Sequence, residues 1–425
     1  MENMSEFHPK PLVSGASTPA PISAGSARIP VSAKRAEQET FIHGDFEYTL
    51  LDDGTAKIVR YTGNAETLQV PGELDGHTTS AVGDRAFWCS SLTSVTLPDS
   101  VTSIGDEAFS RSGLTSIALP DSVTAVGANP FANCTSLTTI VVSIDNPALA
   151  SIGGVLFSKA DRRLICYPRG FKQPDYSVPQ GIKVIGDEAF ENCSLASITL
   201  PDSVTSIGRF AFRGCYKLTS ITLPKGLISI GVNPFVGDSK DLTIVVSLDN
   251  PAFTVKDGVL FSKSDKRLIC YSHSFNKSHY SVPQGTKVID DYAFFDCSSL
   301  TSIALRDGVT AIGNGAFYSC KSLTTVTLPD SVTAIGYTAF CYCESLTSIS
   351  LPASVTSIGD GTFWGCHSLT TITLPDSVTS IGDNAFKDCS SLTSFVVGRN
   401  SYAKQYCIDH GLPFTYPDLY DWLND

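Results

Sequence analysis

Apolar residues return at fixed positions along most of this chain, at intervals of 22 or 23 residues within each run. The segment at 101–119, VTSIGDEAFSRSGLTSIAL, recurs with small changes, and one phenylalanine marks each copy. These residues are Phe87, Phe109, Phe131, Phe190, Phe212, Phe235, Phe294, Phe317, Phe340, Phe363 and Phe386. A unit this short buries its apolar face only by stacking on its neighbours. The pattern therefore predicts a β-rich solenoid of 11 regular units.

One unit, starting at residue 92, shows how the pattern is built. Ser94 and Thr96 alternate with apolar residues and should point outward from a short strand, which Pro98 ends because it cannot donate to a ladder. Asp106 is predicted to cap a single helical turn. The inward positions are Leu92, Val95, Leu97, Val101, Ile104, Ala108 and Phe109. These recurrent residues all have structural explanations.

Two related segments interrupt the period, at 143–185 and 247–289. They share DNP, GVLFSK and RLICY motifs and lie 104 residues apart, so the duplicated block was larger than one repeat. GVLFSK and RLICY are β-rich runs joined by a short polar link, and we expect each pair to form a hairpin that continues the stack.

The ends of the chain differ from the repeats. Residues 1–40 are rich in Pro, Ser and Ala and are predicted to be a disordered leader. We assign 41–80 to a hairpin cap and an irregular first turn, 81–398 to the solenoid with its two inserts, and 399–425 to a C-terminal cap and tail. This last cap should contain a helix that begins at Ser401 and stops at Gly411, with its apolar residues Tyr402, Tyr406 and Ile408 covering the last turn.

The repeats resemble the BspA-like leucine-rich repeats, a bacterial class with units close to LxxLxLPxxVxxIGxxAFxxCxx. SLTTVTLPDSVTAIGYTAFCYC at 322–343 and SLTTITLPDSVTSIGDNAFKDC at 368–389 fit this unit almost throughout. The resemblance covers roughly residues 46 to 416. It implies a right-handed leucine-rich repeat solenoid with short strands and single-turn helical or 3-10 segments. It also implies a surface or secreted protein that binds host matrix proteins or other cells.

Composition excludes some functions. The formal charge of −12 disfavours nucleic acid as the main partner, because such proteins need a basic face for phosphates. No stretch approaches the roughly 20 apolar residues of a membrane span. The chain start carries no visible secretory signal and its end no anchoring motif, which leaves the location open between the cell surface and the cytoplasm.

Thirteen cysteines follow the repeat phase more than a disulfide pattern. Eight of them stand three residues after the repeat phenylalanine: Cys134, Cys193, Cys215, Cys297, Cys320, Cys343, Cys366 and Cys389. A column of neighbouring turns about 4.8 Å apart does not forbid bridges, although an odd count leaves at least one thiol without an intramolecular partner. We expect a reduced structural column, with no metal site and no cofactor.

Two surfaces are candidates for binding. The first is the outward sheet face, where the residues are almost all Ser or Thr; they are either a weak binding ladder or soluble strand residues. The second is the pair of inserts, each with six basic and three acidic side chains, a net charge of +3. Aromatic residues lie among these charges, a composition typical of protein recognition. The predicted ligand-binding residues are Arg162, Arg163, Tyr167, Arg169, Lys266, Arg267, Tyr271 and Phe275. The alternative is solubilising charge with the aromatic rings packed beneath it.

An enzyme is not expected. The motifs H-E-x-x-H and G-x-S-x-G and the P-loop are all missing from the sequence. We therefore predict a non-catalytic, monomeric protein-binding scaffold, an adhesin or host-interaction protein of the surface or medium that does not insert into membranes. The alternative is an intracellular structural or assembly scaffold, which unbridged thiols would favour.

Overall fold

The computed structural model describes residues 39–237 and 239–417. Most of the predicted leader and the end of the predicted tail lie outside the described residues. The described residues from Thr40 to 417 form a β-solenoid of about 16 turns, which confirms the predicted fold class. It is built almost entirely from short strands, with one α-helix near its C-terminal end.

The first turns begin with an antiparallel hairpin. The first six strands are β1 Thr40–His43, β2 Phe46–Leu50, β3 Ala56–Tyr61, β4 Thr67–Gln69, β5 Glu73–Leu74 and β6 His77–Val82. Strands β2 and β3 pair around the turn at 52–54, and β1 adds to β2, so Thr40 belongs to this sheet and not to the predicted leader. Strand β3 then pairs in parallel with β6, where the solenoid ladder starts.

Each regular turn contributes two parallel strands. A face strand of three or four residues carries the alternating pattern, and a strand of only two residues follows it across the core. The sequence reading placed Ile104 in the core but missed that it belongs to this second strand. The next five strands are β7 Ser94–Thr96, β8 Ser103–Ile104, β9 Ser116–Leu119, β10 Ala125–Val126 and β11 Thr139–Val142.

The third side of each turn is a non-helical turn segment, so the predicted cap at Asp106 is wrong. Asp106 Oδ1 accepts a hydrogen bond from the backbone N–H of Ala128 in the next turn (2.7 Å). The N–H of Phe109 likewise donates to Pro130 O (2.8 Å). Because these donors bond between turns, they cannot form the i→i−4 bonds of a helix. A Cβ on Gly127 would lie 2.7 Å from the Asp106 nitrogen, which explains the repeated glycine.

Each insert adds an antiparallel three-stranded unit to the stack, and the predicted pairing of its two β-rich runs is present. The first insert contains β12 Leu149–Ile152, β13 Val155–Ser158 and β14 Arg163–Cys166. Regular turns follow, with β15 Asp175–Ser177, β16 Val184–Ile185, β17 Ser197–Thr199, β18 Ser206–Ile207, β19 Ser220–Leu223, β20 Ser229–Ile230 and β21 Thr243–Val246. The second insert contains β22 Phe253–Lys256, β23 Val259–Ser262 and β24 Arg267–Tyr271.

The last turns run without interruption to the C-terminal cap. Their strands are β25 His279–Ser281, β26 Val288–Ile289, β27 Ser302–Ala304, β28 Ala311–Ile312, β29 Thr325–Thr327, β30 Ala334–Ile335, β31 Ser348–Ser350, β32 Ser357–Ile358, β33 Thr371–Leu374, β34 Ser380–Ile381 and β35 Ser394–Val397. Helix α1, Tyr402–Asp409, follows them, and β36, Phe414–Thr415, pairs in parallel with β35.

Helix α1 begins as predicted but buries a different face. Ser401 Oγ accepts from the N–H of Lys404 (3.2 Å), and Gly411 takes a left-handed φ of 64° after the helix. Tyr406 is buried as expected, whereas Tyr402 and Ile408 are 44% and 50% exposed. The helix period explains this correction, because Ala403 and Cys407 lie on the same face as Tyr406 and pack inward with it.

Aromatic rings form the centre of the core. Phe317 stacks between Phe294 and Phe340 at ring-centroid distances of 5.0 and 5.1 Å, and similar stacks run through the other blocks. At the end of each insert a tyrosine replaces the phenylalanine: Tyr167 lies 5.3 Å from Phe190 and Tyr271 lies 5.2 Å from Phe294. The column therefore restarts after each insert.

The repeat cysteines form a second buried column. The Sγ of Cys320 donates to Phe294 O (3.0 Å), and that of Cys343 donates to Phe317 O (3.2 Å). Each thiol thus satisfies a carbonyl of the preceding turn. All thirteen cysteines lie within the described residues and none of them forms a disulfide there; eleven of the thirteen are buried. Burial raises the pKa of the Cys366 thiol well above its ordinary value, so this thiol stays protonated and unreactive.

Candidate binding surfaces

The face strands present a ladder of small polar side chains. The pattern of exposed, buried and exposed residues in β7, β17, β29 and β31 leaves Ser and Thr outside and Ile or Val inside. Among the described residues, Val141 and Val245 are the large apolar side chains that the face strands expose. These two residues are equivalent positions, 104 residues apart, next to the two inserts. The rest of the face offers hydroxyl contacts and few anchors.

The basic residues of the inserts differ in their exposure and in their ion-pair partners. Arg162 and Lys266 are exposed at equivalent turn positions, and both have a left-handed backbone, with φ of 54° at Arg162 and 58° at Lys266. Arg163 lies 3.2 Å from Asp161, and Arg267 contacts Asp265 and Asp290 at 2.5 and 2.6 Å. The charges of these two arginines are therefore largely neutralised within the chain.

The predicted aromatic residues pack beneath the surface. Tyr167 and Tyr271 are each only 2% exposed, and Phe275 packs edge-on against Tyr271 at 5.6 Å. Burial raises the pKa of the Tyr271 hydroxyl to about 12. Arg169 also turns inward, where its Nη1 donates to Asn133 Oδ1 (2.8 Å). Of the eight predicted residues, Arg162 and Lys266 are therefore the ones best placed to meet a partner.

Each insert also holds a rigid loop that sequence reasoning missed. Asn146 is fully buried, and its amide nitrogen donates to Val123 O (3.0 Å) while its Oδ1 accepts from the N–H groups of Ala148 and Leu149. Lys159 Nζ donates to the Asn146 carbonyl (2.5 Å). This network fixes the backbone next to Ile144, whose side chain is 90% exposed.

The second insert repeats this arrangement. Asn250 donates to Pro224 O and Leu227 O (2.8 and 2.9 Å), and Lys263 Nζ donates to the Asn250 carbonyl (2.7 Å). Leu248, the counterpart of Ile144, is fully exposed. The signal in the sequence was an isolated aliphatic residue just before each DNP motif, at a position where the repeat needs no core residue.

A buried ionic cluster connects the turns on either side of the first insert. Asn133 Nδ2 donates to Glu191 Oε2 (3.0 Å), and Arg213 lies 3.8 Å from Glu191. Glu188 lies 3.7 Å from Arg209, yet burial, with Glu191 and Glu107 nearby, raises its pKa to about 8. The desolvation cost therefore outweighs this long ion pair, and Glu188 is protonated at neutral pH. The cluster has the geometry of a junction between turns, because its two carboxylates are buried between turns while Arg209 and Arg213 cover them from the partly exposed side.

The remaining chemistry is sparse. A shallow cavity of about 390 Å³ lies beside the second insert and is lined by Lys256, Tyr280, Gln284 and Arg306 among others. His43, at the end of β1, has its Nδ1 2.7 Å from Oδ1 of Asp75, which lies in the exposed turn between β5 and β6. Within residues 39–237 and 239–417, no group of three or more His, Cys, Asp or Glu side chains is arranged to hold a metal ion. Over the same ranges no helix has the length and apolar content needed to cross a membrane.

Comparisons with known proteins agree with this architecture. The model of the BspA-type leucine-rich repeat region matches residues 80–166, 166–255 and 268–402. A solved structure of a leucine-rich cell surface protein from Faecalibacterium prausnitzii is 30% identical, with a TM-score of 0.56, and the match covers 87% of this chain and 97% of that one.

Two further solved structures resemble the chain less closely. A leucine-rich repeat protein from Bacteroides ovatus is 26% identical over 89% of this chain and all of that one, with a TM-score of 0.39. The pneumococcal vaccine antigen PcpA is 16% identical over 90% of this chain and 99% of that one, with a TM-score of 0.43. No curated protein sequence matches the chain.

Proposed function

Because the chain belongs to the BspA-type leucine-rich repeat family, a family of protein-interaction scaffolds, we propose that it is a non-catalytic adhesin or host-interaction protein of the cell surface or medium. One observation carries the location: the similar protein from F. prausnitzii, 30% identical over nearly its whole length, is described as a cell surface protein. The inserts are the proposed contact region, because their net charge of +3 contrasts with the acidic remainder of the chain. The partner is a protein, and the scaffold acts as a monomer.

Location is the first test of this proposal. Intact source cells are treated with protease, fractionated and probed with an antibody to the solenoid. We expect the protein to be cleaved on intact cells or found in the medium, while a cytosolic marker stays intact. Complete protection until the cells are lysed would overturn the surface location.

Binding is the second test. The purified chain is assayed against immobilised fibronectin, fibrinogen, laminin and collagen, with a variant carrying Arg162→Ser and Lys266→Ser beside it. We expect saturable binding to at least one matrix protein that weakens in the variant and at higher salt, since exposed charges are screened. Binding that the variant leaves unchanged would exclude the inserts as the contact region. Failure of all four matrix proteins to bind would overturn the host-matrix part of the proposal.

An intracellular assembly scaffold is the second candidate, and the free thiols favour it. Thirteen unbridged cysteines are more usual in reducing compartments. The protease experiment separates the two candidates, because an intracellular scaffold is degraded only after lysis.

A further inference from the structure

We propose that each insert presents a two-point epitope, an exposed aliphatic side chain beside an exposed cation, and that each copy binds an acidic protein segment that carries apolar side chains. The aliphatic residues are Ile144 and Leu248, and the cations are Arg162 and Lys266. This inference rests on the proposed binding function and names the residues and the partner chemistry that serve it.

The two points of each epitope lie at the same end of one sheet. In the first insert Leu149 pairs with Ser158, and Ser158 pairs with Arg163, so these residues stand side by side across three adjacent strands. The Ile144 loop leads into the strand that starts at Leu149, and Arg162 immediately precedes Arg163. Two strand spacings of about 4.8 Å separate Leu149 from Arg163, so the loop that carries Ile144 and the turn that carries Arg162 lie at the same end of this sheet.

The epitope is preorganised. The buried Asn146 and Asn250 networks fix the loops before any partner arrives, so binding loses little backbone entropy. Exposed aliphatic side chains on ordinary loops are common, but Ile144 and Leu248 combine near-complete exposure with a hydrogen-bonded backbone, twice and at equivalent positions.

Charge selects the occupant. Arg163 and Arg267 already contact carboxylates of the chain, and Lys159 and Lys263 donate to the asparagine carbonyls. Arg162 and Lys266 are left at the surface of a basic insert, where an acidic group of the partner complements them. The aliphatic side chain beside each cation would be covered by an apolar side chain of the partner that lies next to this acidic group.

The duplication sets the spacing. Strands β12, β13, β14, β16, β18 and β20 form one sheet between the start of the first insert and that of the second. Six strand spacings of about 4.8 Å place the two epitopes roughly 30 Å apart. A partner that repeats its segment gains avidity when its linker matches this distance.

The test uses the full chain and a library of random peptides displayed on phage. We expect the enriched peptides to place Asp or Glu next to Leu, Phe or Trp, and to bind a double variant, Ile144→Ser with Leu248→Ser, at least tenfold more weakly. The matched control carries Ile42→Ser and Ile228→Ser, two exposed aliphatic residues outside the inserts. Both variants should unfold at the same urea midpoint as the wild type, because substitutions of exposed residues change stability little.

Calorimetry with the synthesised peptide then tests the pairing. A single-copy peptide should bind two sites on the wild-type chain and one site, with unchanged affinity, on Ile144→Ser. Two copies joined by a flexible linker should bind the wild type at least tenfold more tightly than one copy, and this gain should vanish in Ile144→Ser.

Three outcomes would overturn the inference: no enriched peptide, enriched peptides without this composition, or equal binding to the double variant and the control. These outcomes are independent of where the protein resides. A chain that proves cytosolic, or binds no matrix protein, contradicts the proposed function while peptide binding at the two epitopes would still stand.

Discussion

Replacing the ring of Phe317 is the sharpest test of the stacked core. Phe317 is fully buried and its ring stacks between Phe294 and Phe340 at 5.0 and 5.1 Å. Phe→Ala substitutions in cores cost about 3–5 kcal/mol, depending on how far the site can collapse. Collapse is limited here, because the N–H of Phe317 donates to Ala339 O (2.8 Å) and fixes the spacing of the turns. We therefore expect Phe317→Ala to lose about 4–5 kcal/mol, including the stacking on both faces.

Urea unfolding of the wild type and Phe317→Ala measures this loss, and native-state hydrogen exchange shows where it occurs. Solenoid stability is close to a sum over neighbouring turns, so the amides of turns adjacent to Phe317 should lose most protection while the first hairpin changes little. Thr327→Ala, on the exposed face, is the matched control and should change stability by less than about 0.5 kcal/mol. A loss below about 1 kcal/mol for Phe317→Ala, or protection lost evenly along the chain, would refute the reasoning.

Three further predictions concern backbone packing, protonation and thiols. Gly127→Ala forces a Cβ against Asp106 and should lower the free energy of unfolding, measured in urea, by about 1–3 kcal/mol. The control is Gly72→Ala, which should leave this free energy nearly unchanged because the nearest atom to the new Cβ lies 3.9 Å away. The raised pKa of Glu188, about 8, means that the folded chain keeps a proton that the unfolded chain releases above about pH 4.3. The free energy of unfolding should therefore fall as pH rises from about 5 to 8, and Glu188→Gln should flatten this fall in urea titrations, while the exposed Glu73→Gln should not. Titration of the native chain with a disulfide reagent should modify the exposed Cys89 rapidly, whereas the full count of thirteen thiols should be reached only after denaturation. Rapid reaction of the eleven buried thiols in the native chain would contradict the buried cysteine column.

The repeat pattern was enough to predict the column positions. Leu92, Ile104 and Phe109 are buried as their spacing required, because a residue fixed in the repeat phase occupies the same place in every turn. The prediction of a helical turn at Asp106 is wrong for a reason that lies outside any single repeat. Its backbone donors bond to the next turn, a partner about 22 residues away that local propensity does not reveal.

The candidate site was less predictable for the same reason. Composition identified the inserts as basic and aromatic, but it could not tell Arg162, which is exposed, from Arg163, which contacts Asp161. Tyr167 looked like a recognition residue and instead packs in the aromatic column. The contact between Asn133 and Glu191 joins residues 58 positions apart across an insert, so no periodic pattern predicts it.

The 104-residue duplication makes the length of this protein adjustable by recombination. Removing residues 143–246 would join Val142 to Ser247, the counterpart of Ser143. The shortened chain would then keep one complete insert, at the same position in the repeat pattern. The junction contact would also be kept, because Asn129 donates to Glu188 O in the first block and Asn233, at the equivalent position, donates to Tyr292 O in the second (2.6 and 2.8 Å). Unequal crossing-over between the two copies could therefore shorten or lengthen the solenoid by whole blocks, and a population of cells could vary the number of epitopes without having to evolve a new fold.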